Sequence, residues 1–335
     1  MGKKAQASSK LLVRRVLRLG WKLVVFWSVA LCVLSFIRTQ LYFQSPESSY
    51  SPTHLSRRTR VLSSQYSGDP KIAFLFLVRR SLPLDFIWES FFQNVDRSKF
   101  SIYIHAEPGI AFDESITSYA LFFNRQLRNS IEVAWGEASM IGAERLLFEE
   151  ALQDPANQRF VLLSDSCVPL YNFSYIYKYL MDSPRSFVDS FQDKNDVRYN
   201  PKMSPVIPRN KWRKGSQWVT LIRRHAEVVV DDEIVFPIFR KFCGMNGLEA
   251  ELERRTVTYT LWNTVSFHPF TFSYANSGPE QIKRIKNINH VSYETEFRIE
   301  WCSNNSTFVR CFLFARKFSR AAAKHLLSQG VVGNI

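Results

Sequence analysis

The chain has 335 residues, of which 46% are hydrophobic and 22% charged, and a formal net charge of +14. Eleven Lys/Arg and a single acid, Glu47, precede residue 61, so +10 of that charge belongs to the N-terminus and +4 to everything after it. Nucleic-acid binding needs the basic residues on a folded face, so this partition argues against a nucleic-acid partner.

Residues 1–22 carry Lys3, Lys4, Lys10, Arg14, Arg15, Arg18 and Lys22 and read as a basic cytoplasmic tail. Residues 23–37 are apolar without a charge, and Arg38 closes them. Trp21 and a snorkelling Lys22 extend this run toward the ~17 residues of a short membrane span. Because the basic flank stays cytoplasmic, a type II signal anchor of the Golgi membrane is expected. A cleaved signal peptide is the rival reading, but Arg38-Thr39-Gln40-Leu41-Tyr42 offers no small-x-small cleavage site. Residues 38–69, rich in Ser, Pro, Arg and Tyr and without periodicity, read as a flexible stem. Residues 70–330 are long enough for one α/β domain with a proper core, placed by this topology in the lumen.

Within that domain Lys71 to Val78 is a continuous apolar strand, and Leu84, Ile87, Trp88, Phe91 and Phe92 follow at helical spacing. Phe100 to His105 is a second strand and Ile131-Glu132-Val133 a brief third. Ala138 to Leu152 reads as a helix, with Ile141, Leu146, Leu147 and Ala151 at core spacing, and Phe160 to Leu163 as the fourth strand. This alternation predicts a mostly parallel, Rossmann-type sheet with helices on both faces. The fourth strand empties into Ser164-Asp165-Ser166-Cys167-Val168-Pro169. Ligands of open α/β sheets bind at the carboxyl ends of strands, which puts Asp165 on such a rim. No second carboxylate stands one or two residues from it, so the segment lacks an Asp-x-Asp metal site. No G-x-G-x-x-G, G-x-x-x-x-G-K-[ST] or G-x-S-x-G occurs at the expected places, which disfavours dinucleotide, P-loop and lipase-type chemistry.

The blocks KIAFLFLV, FSIYIHAEPG (100–109), VAWGEASMIGAERLL (133–147), FVLLSDSCVPL (160–170), KWRKGSQWVTLIRRHA (211–226), ELERRTVTYTLW (251–262), INHVSYETEFRIEWC (288–302) and CFLFARKFS (311–319) together resemble the core-2/I-branching β-1,6-N-acetylglucosaminyltransferase family, in its plant-type branch. The resemblance implies a GT-A-like fold and an inverting, metal-independent transfer of a sugar, N-acetylglucosamine in the first instance, from a UDP-sugar to a glycan or glycoprotein acceptor. No cofactor is implied beyond the donor itself.

An inverting transfer is a direct displacement at the anomeric carbon. It needs a base for the acceptor hydroxyl and fixed positive charge for the departing diphosphate. Lys317 matches the family's diphosphate-binding lysine. Arg310, beside Cys311, is the expected second cation, with Arg298 and Arg316 as rivals. Glu107 matches a nucleotide-contacting acid, and Asp165 is expected to line the donor site. Lys214 and Trp218 fall in an acceptor-proximal loop, where Gly215 permits close backbone approach. Trp135 and Trp218 each have a competing reading as core aromatics, and Cys167 as a small buried filler.

Cys302 and Cys311 enclose a polar loop and are the expected disulfide; Cys167 and Cys243 are left open. Asn172 and Asn305 stand in N-glycosylation sequons. The family's catalytic glutamate lies in a Pro-Asp-Glu-His-type block after the cysteine matching Cys243. This chain passes instead from Cys243 to Gly244-Met245-Asn246-Gly247-Leu248-Glu249, and no Asp-Glu-His string occurs in it. The segment is absent rather than mutated, so the catalytic residue is unknown. Weak or no transfer is expected, with a silent sugar-nucleotide- or glycan-binding protein as the alternative.

Overall fold

The computed structural model describes residue 27 and residues 66–134, 136–192, 199–242, 252–262, 268–304 and 307–332. The chain divides into two units, 1–60 and 61–335. Of the first, only Trp27, in a helix, is described. Among the described residues no helix is long and apolar enough to cross a membrane. The expected tail, anchor and most of the stem lie outside the described residues, as do Trp135, Cys243, Glu249 and Asn305.

The second unit is a mixed α/β fold around a central sheet. It begins with β1 (Lys71–Leu77), α1 (Asp85–Phe92), β2 (Phe100–His105), α2 (Ala138–Ala151) and β3 (Asn157–Ser164). The chain continues through β4 (Val168–Pro169), α3 (Phe173–Asp182), β5 (Ser186–Phe187), β6 (Thr220–Ile222), α4 (Arg223–Asp231) and α5 (Val235–Phe242). After β7 (Leu252–Glu253) and β8 (Thr258–Thr260) come α6 (Pro279–Lys286), β9 (His290–Tyr293), β10 (Arg298–Trp301), β11 (Ser303–Asn304), β12 (Thr307–Phe308), β13 (Phe314–Arg316) and α7 (Arg320–Ser328).

The six-stranded sheet has the order β2-β1-β3-β6-β5-β7. β1 is parallel to β2 and β3, β6 is antiparallel to β3 and β5, and β7 is parallel to β5. Only β6 therefore opposes the common direction, as a mostly parallel sheet predicts. Strand side chains alternate between faces, and β1 shows the consequence. Ile72, Phe74 and Phe76 pack with Trp88, Phe91 and Phe92 of α1 and Phe173 of α3. Ala73 and Leu75 face the other way, toward Leu147 and Phe148 of α2 and Ala226 of α4. Both faces are thus covered by helices, which is why the strand reads as a continuous apolar run.

The expected strand at 131–133 does not form. Its place beside β2 is taken by residues just upstream, where Leu127 N–H donates to Ile104 O and Gln126 bridges Ile104 in parallel. Ile131 instead gives its N–H to His105 Nε2 at 3.1 Å.

A second, three-stranded sheet has the order β4-β13-β8. It carries its own core, in which Val168, Leu170 and Ala315 meet Ile282 and Ile285 of α6, Ala322 and Leu326 of α7, and the Cys302–Cys311 disulfide. α7 starts on Ser319, whose Oγ accepts from Ala322 N–H at 3.2 Å, an N-cap that stops β13 within three residues of its end.

Candidate active site

The site begins where β3 runs out. Leu162 and Leu163 are sealed inside the sheet, and the next four residues turn into β4. Ser164 organises the turn: its Oγ accepts from Ser166 N–H at 3.3 Å and lies 3.2 Å from both Ser166 Oγ and Cys167 Sγ. Cys167 is buried and unpaired, and burial pushes its thiol up. It fills the turn rather than facing solvent. Asp165 alone reaches outward. It makes no hydrogen bond or ion pair among the described residues, and it lines a cavity of about 340 Å³ with Arg79, Arg80, Ser81 and Pro83 from the exit of β1.

The second wall comes from β13. Phe318 N–H donates to Ser166 O at 3.1 Å and Phe272 N–H to Lys317 O at 2.7 Å, so residues 316–318 lie against the strand-end turn. Arg316 is only 9% exposed. Its guanidinium sits 4.3 Å above the Trp218 ring, and Nε donates to Ser164 Oγ at 3.2 Å. No carboxylate forms an ion pair with it among the described residues. Burial lowers its hold on its proton, but a guanidinium stays charged. The Lys317 side chain, half-buried, makes no hydrogen bond or ion pair among the described residues. Arg316 thus reaches the rim beside Asp165, clamped on an aromatic face, and Lys317 is the next residue along the backbone.

The other expected residues are placed as follows. Glu107, after β2, bridges Arg80 at 2.6 Å and Arg79 at 3.1 Å, and the Arg80 hydrogen bond is the main cause that holds its carboxyl below the usual range. Arg310 stands apart from this group: it is exposed, donates to Lys286 O at 3.2 Å, and its carbonyl accepts from Tyr179 OH. Arg298 is bound to Glu296 and Glu300 and lies over Tyr293. Of the three arginines weighed from the sequence, only Arg316 reaches the rim. Trp218, 6% exposed, offers its ring to Arg316. Lys214 is exposed on a loop whose backbone pairs with Phe191. Gly215 is required there, since a Cβ would lie 1.9 Å from Asp189 O. Asn172 caps α3, its Oδ1 accepting from Tyr175 N–H at 3.0 Å.

Several residues of the region escaped the reading of the sequence. Arg79 and Arg80 belong to it because they follow an apolar strand, a position that reads only as loop until the strand is paired. Glu144, on α2, accepts from Gln217 Nε2 at 3.0 Å, and burial pushes its carboxyl up to about 8. Gln217 precedes Trp218, so Glu144, Gln217, Trp218, Arg316 and Ser164 form a connected series. Asp189, just beyond β5, opens onto the same strand-end edge. Burial raises its carboxyl, but both oxygens are occupied, by Tyr293 OH at 2.6 Å and Ser216 N–H at 3.0 Å. Trp262, 58% exposed, leaves β8 at the end where β13 delivers Lys317. Among the described residues no three His, Cys, Asp or Glu side chains are grouped to hold a metal ion.

The family model described as Core-2/I-Branching enzyme matches residues 72–286. A protein of Oryza sativa subsp. japonica named glycosyltransferase BC10 is 45% identical over 310 aligned positions, covering 79% of this chain and 78% of the rice protein. The alignment is longer than the share of this chain within it, so the rice protein has aligned positions with no counterpart here. Two solved structures of LgtC are also similar. An active-site mutant has 8% identity and a TM-score of 0.39, and the galactosyltransferase with donor and acceptor sugar analogs has 10% and 0.35; each covers 79% of this chain and 97% of its own.

Proposed function

The chain belongs to the Core-2/I-branching enzyme family of glycosyltransferases, and we propose that it binds a UDP-sugar at the Asp165–Arg316–Lys317 rim as a type II protein of the Golgi lumen. The proposed reaction is an inverting, metal-independent transfer, with N-acetylglucosamine as the first donor sugar to test and a glycan as acceptor. The observation that carries it is the pair of consecutive cations, Arg316 and Lys317, neither in a direct ion pair among the described residues, at the end of a strand beside Asp165.

In the transfer the acceptor oxygen forms a bond to the anomeric carbon as the bond to the diphosphate oxygen breaks. Negative charge grows on that leaving oxygen. Lys317 supplies a mobile point charge for it, and Arg316 a fixed one, oriented in advance by Trp218 and Ser164. At an effective dielectric of 20, one such charge about 4 Å away is worth ~4 kcal/mol. Arg79 and Arg80 raise the positive potential over the cavity, already partly offset by Glu107. On the acceptor side, Trp262 offers an exposed flat face and Lys214 a cation.

The acceptor proton is where the chain falls short. The family's glutamate block is absent after Cys243, Asp189 is occupied on both oxygens, and the unpaired Asp165 lines the proposed donor cavity; among the described residues no carboxylate on the acceptor side is assigned as the base. Loss of a general base costs ~10²–10⁴-fold in rate. The proposal is therefore tight donor binding with weak turnover. A silent binding protein is its limiting case.

Calorimetric titration with UDP tests the donor site. Lys317→Met should weaken binding by about tenfold or more, the loss of one charge-assisted contact; unchanged affinity would refute the assignment. Inserting the family's Pro-Asp-Glu-His-type block at the Cys243–Gly244 junction should raise turnover at unchanged UDP affinity. Equal turnover with and without it would dismiss the missing-base explanation.

A further inference from the structure

Arg310 poses a separate question, because the fold takes it away from the donor rim and gives it another cation as neighbour. Its guanidinium donates to the carbonyl of Lys286, the last residue of α6. Lys286 in turn sits 4.9 Å over the ring of Tyr171, and Tyr171 stacks against Tyr175 at 4.5 Å. Neither cation forms an ion pair with a carboxylate among the described residues. Burial and the charge of Arg310 together lower the hold of Lys286 on its proton. The Tyr171 hydroxyl is shielded from solvent and has no hydrogen-bond partner among the described residues.

Each of these features has a cost. Two like charges side by side repel, and a buried hydroxyl without a partner loses its hydrogen bonds to water. The fold nevertheless holds the cluster in place. Arg310 is anchored by the Cys302–Cys311 disulfide next to it and by Tyr179 OH, which donates to its carbonyl at 2.9 Å. Lys286 is fixed by the end of a helix. An anion between the two cations would offset their repulsion, and the exposed ring of Tyr175 would accept the face of a sugar.

We propose that Lys286, Arg310, Tyr171 and Tyr175 form a second binding site, for an acidic saccharide whose carboxylate or sulfate lies between the two cations. The site is not an extension of the donor cavity. Arg310 precedes β13 and Lys317 follows it, and none of the cavity-lining residues Arg79, Arg80, Ser81, Pro83 and Asp165 is among the hydrogen-bond and ring contacts of the Arg310 cluster. The site therefore stands or falls independently of donor binding. In a glycosyltransferase it would hold a charged part of the acceptor, or of a neighbouring chain, away from the reacting centre.

The full-length protein should be titrated with a trisaccharide of hexuronic acids, with its neutral methyl ester, and with a sulfated trisaccharide. At least one of the two acids should bind, about tenfold or more tightly than the ester, and binding should weaken as salt rises. The double variant Lys286→Gln/Arg310→Gln should lose that affinity while keeping the wild-type melting midpoint. Comparing the two acids identifies the anion. If the double variant does not fold, Tyr175→Ala, read on protein shown to be folded by its melting transition, should weaken binding. Failure of both acids to bind wild-type protein, equal binding of acid and ester, or undiminished affinity in the folded variant would each overturn the proposal.

Discussion

Glu144 makes a prediction that runs against the usual behaviour of a carboxylate. Burial pushes its carboxyl from 4.5 up to about 8, with only the Gln217 amide opposing. A group raised in this way keeps its proton in the folded state while the unfolded chain gives it up. Its contribution is complete below pH 4.5 and is lost as pH rises from there toward 8. At pH 7 the difference spans two and a half pH units, and at 1.36 kcal/mol per unit the folded state is penalised by at most ~3 kcal/mol. Part of the side chain reaches the surface, so about 1–3 kcal/mol is the expected range.

Glu144→Gln removes the ionisation and keeps the shape. The amide oxygen still accepts from Gln217, and the amide nitrogen replaces the carboxyl proton. The variant should be more stable than wild type at pH 7, by several degrees in melting midpoint at about 2–4 °C per kcal/mol. The advantage should shrink on acidification and vanish near pH 4.5. Thermal denaturation followed by circular dichroism from pH 4.5 to 8 measures both curves. Parallel curves, or a variant less stable than wild type at pH 7, would refute the reasoning.

His105 carries the opposite pH sense. It is buried, its Nε2 accepts from Ile131 N–H, and burial lowers its affinity for a proton; the unfolded chain therefore takes up the proton first, and stability should fall as pH drops below about 6.5. His105→Gln should flatten that part of the curve, which urea denaturation at pH 7.5 and 5.5 would show. Gly215→Ala drives a Cβ to 1.9 Å from a backbone oxygen that no rotamer change can move. The expected loss is about 1–3 kcal/mol, read as a lower urea midpoint. Replacing Cys302 and Cys311 by Ser opens a loop of ten residues and should cost about 2–3 kcal/mol, checked by comparing melts with and without reductant.

The first half of the sheet was legible because its signals are local. An apolar run such as Lys71–Leu77 has few alternatives once a helix pattern and a second run follow, and the observed strand ends within a residue of the expectation. The 131–133 strand misled for the same reason: Ile and Val at short range suggest extension, but the edge of β2 had already been taken by residues 126–127. The placement of Asp165 and Lys317, each just past a strand, was legible in the sequence. The placement of Arg316 was not. Arg310 and Arg316 look alike in sequence, and only the pairing of β13 with β4 and β8 shows that one enters the sheet and the other stays outside it. Glu144 was hidden because its character comes from Gln217, 73 residues away.

Under the proposed reading, the same topology separates donor binding from the missing acceptor base. Arg79 and Arg80 leave β1, Asp165 leaves β3, and Arg316 and Lys317 leave β13; none belongs to the segment around Cys243. Trp218, which holds Arg316, is packed with the α2 face of the sheet, and its carbonyl is tied to Thr256 at 2.8 Å. Among the described residues, Arg316 is held between two cores, one containing Trp218 and the other Ala315 and Phe318. Under that reading a missing segment after Cys243 changes the rate without loosening the charges proposed to hold the donor. Ground-state affinity for UDP and turnover should accordingly separate in this chain, the first set by Arg316 and Lys317 and the second by a carboxylate that the other elements do not supply.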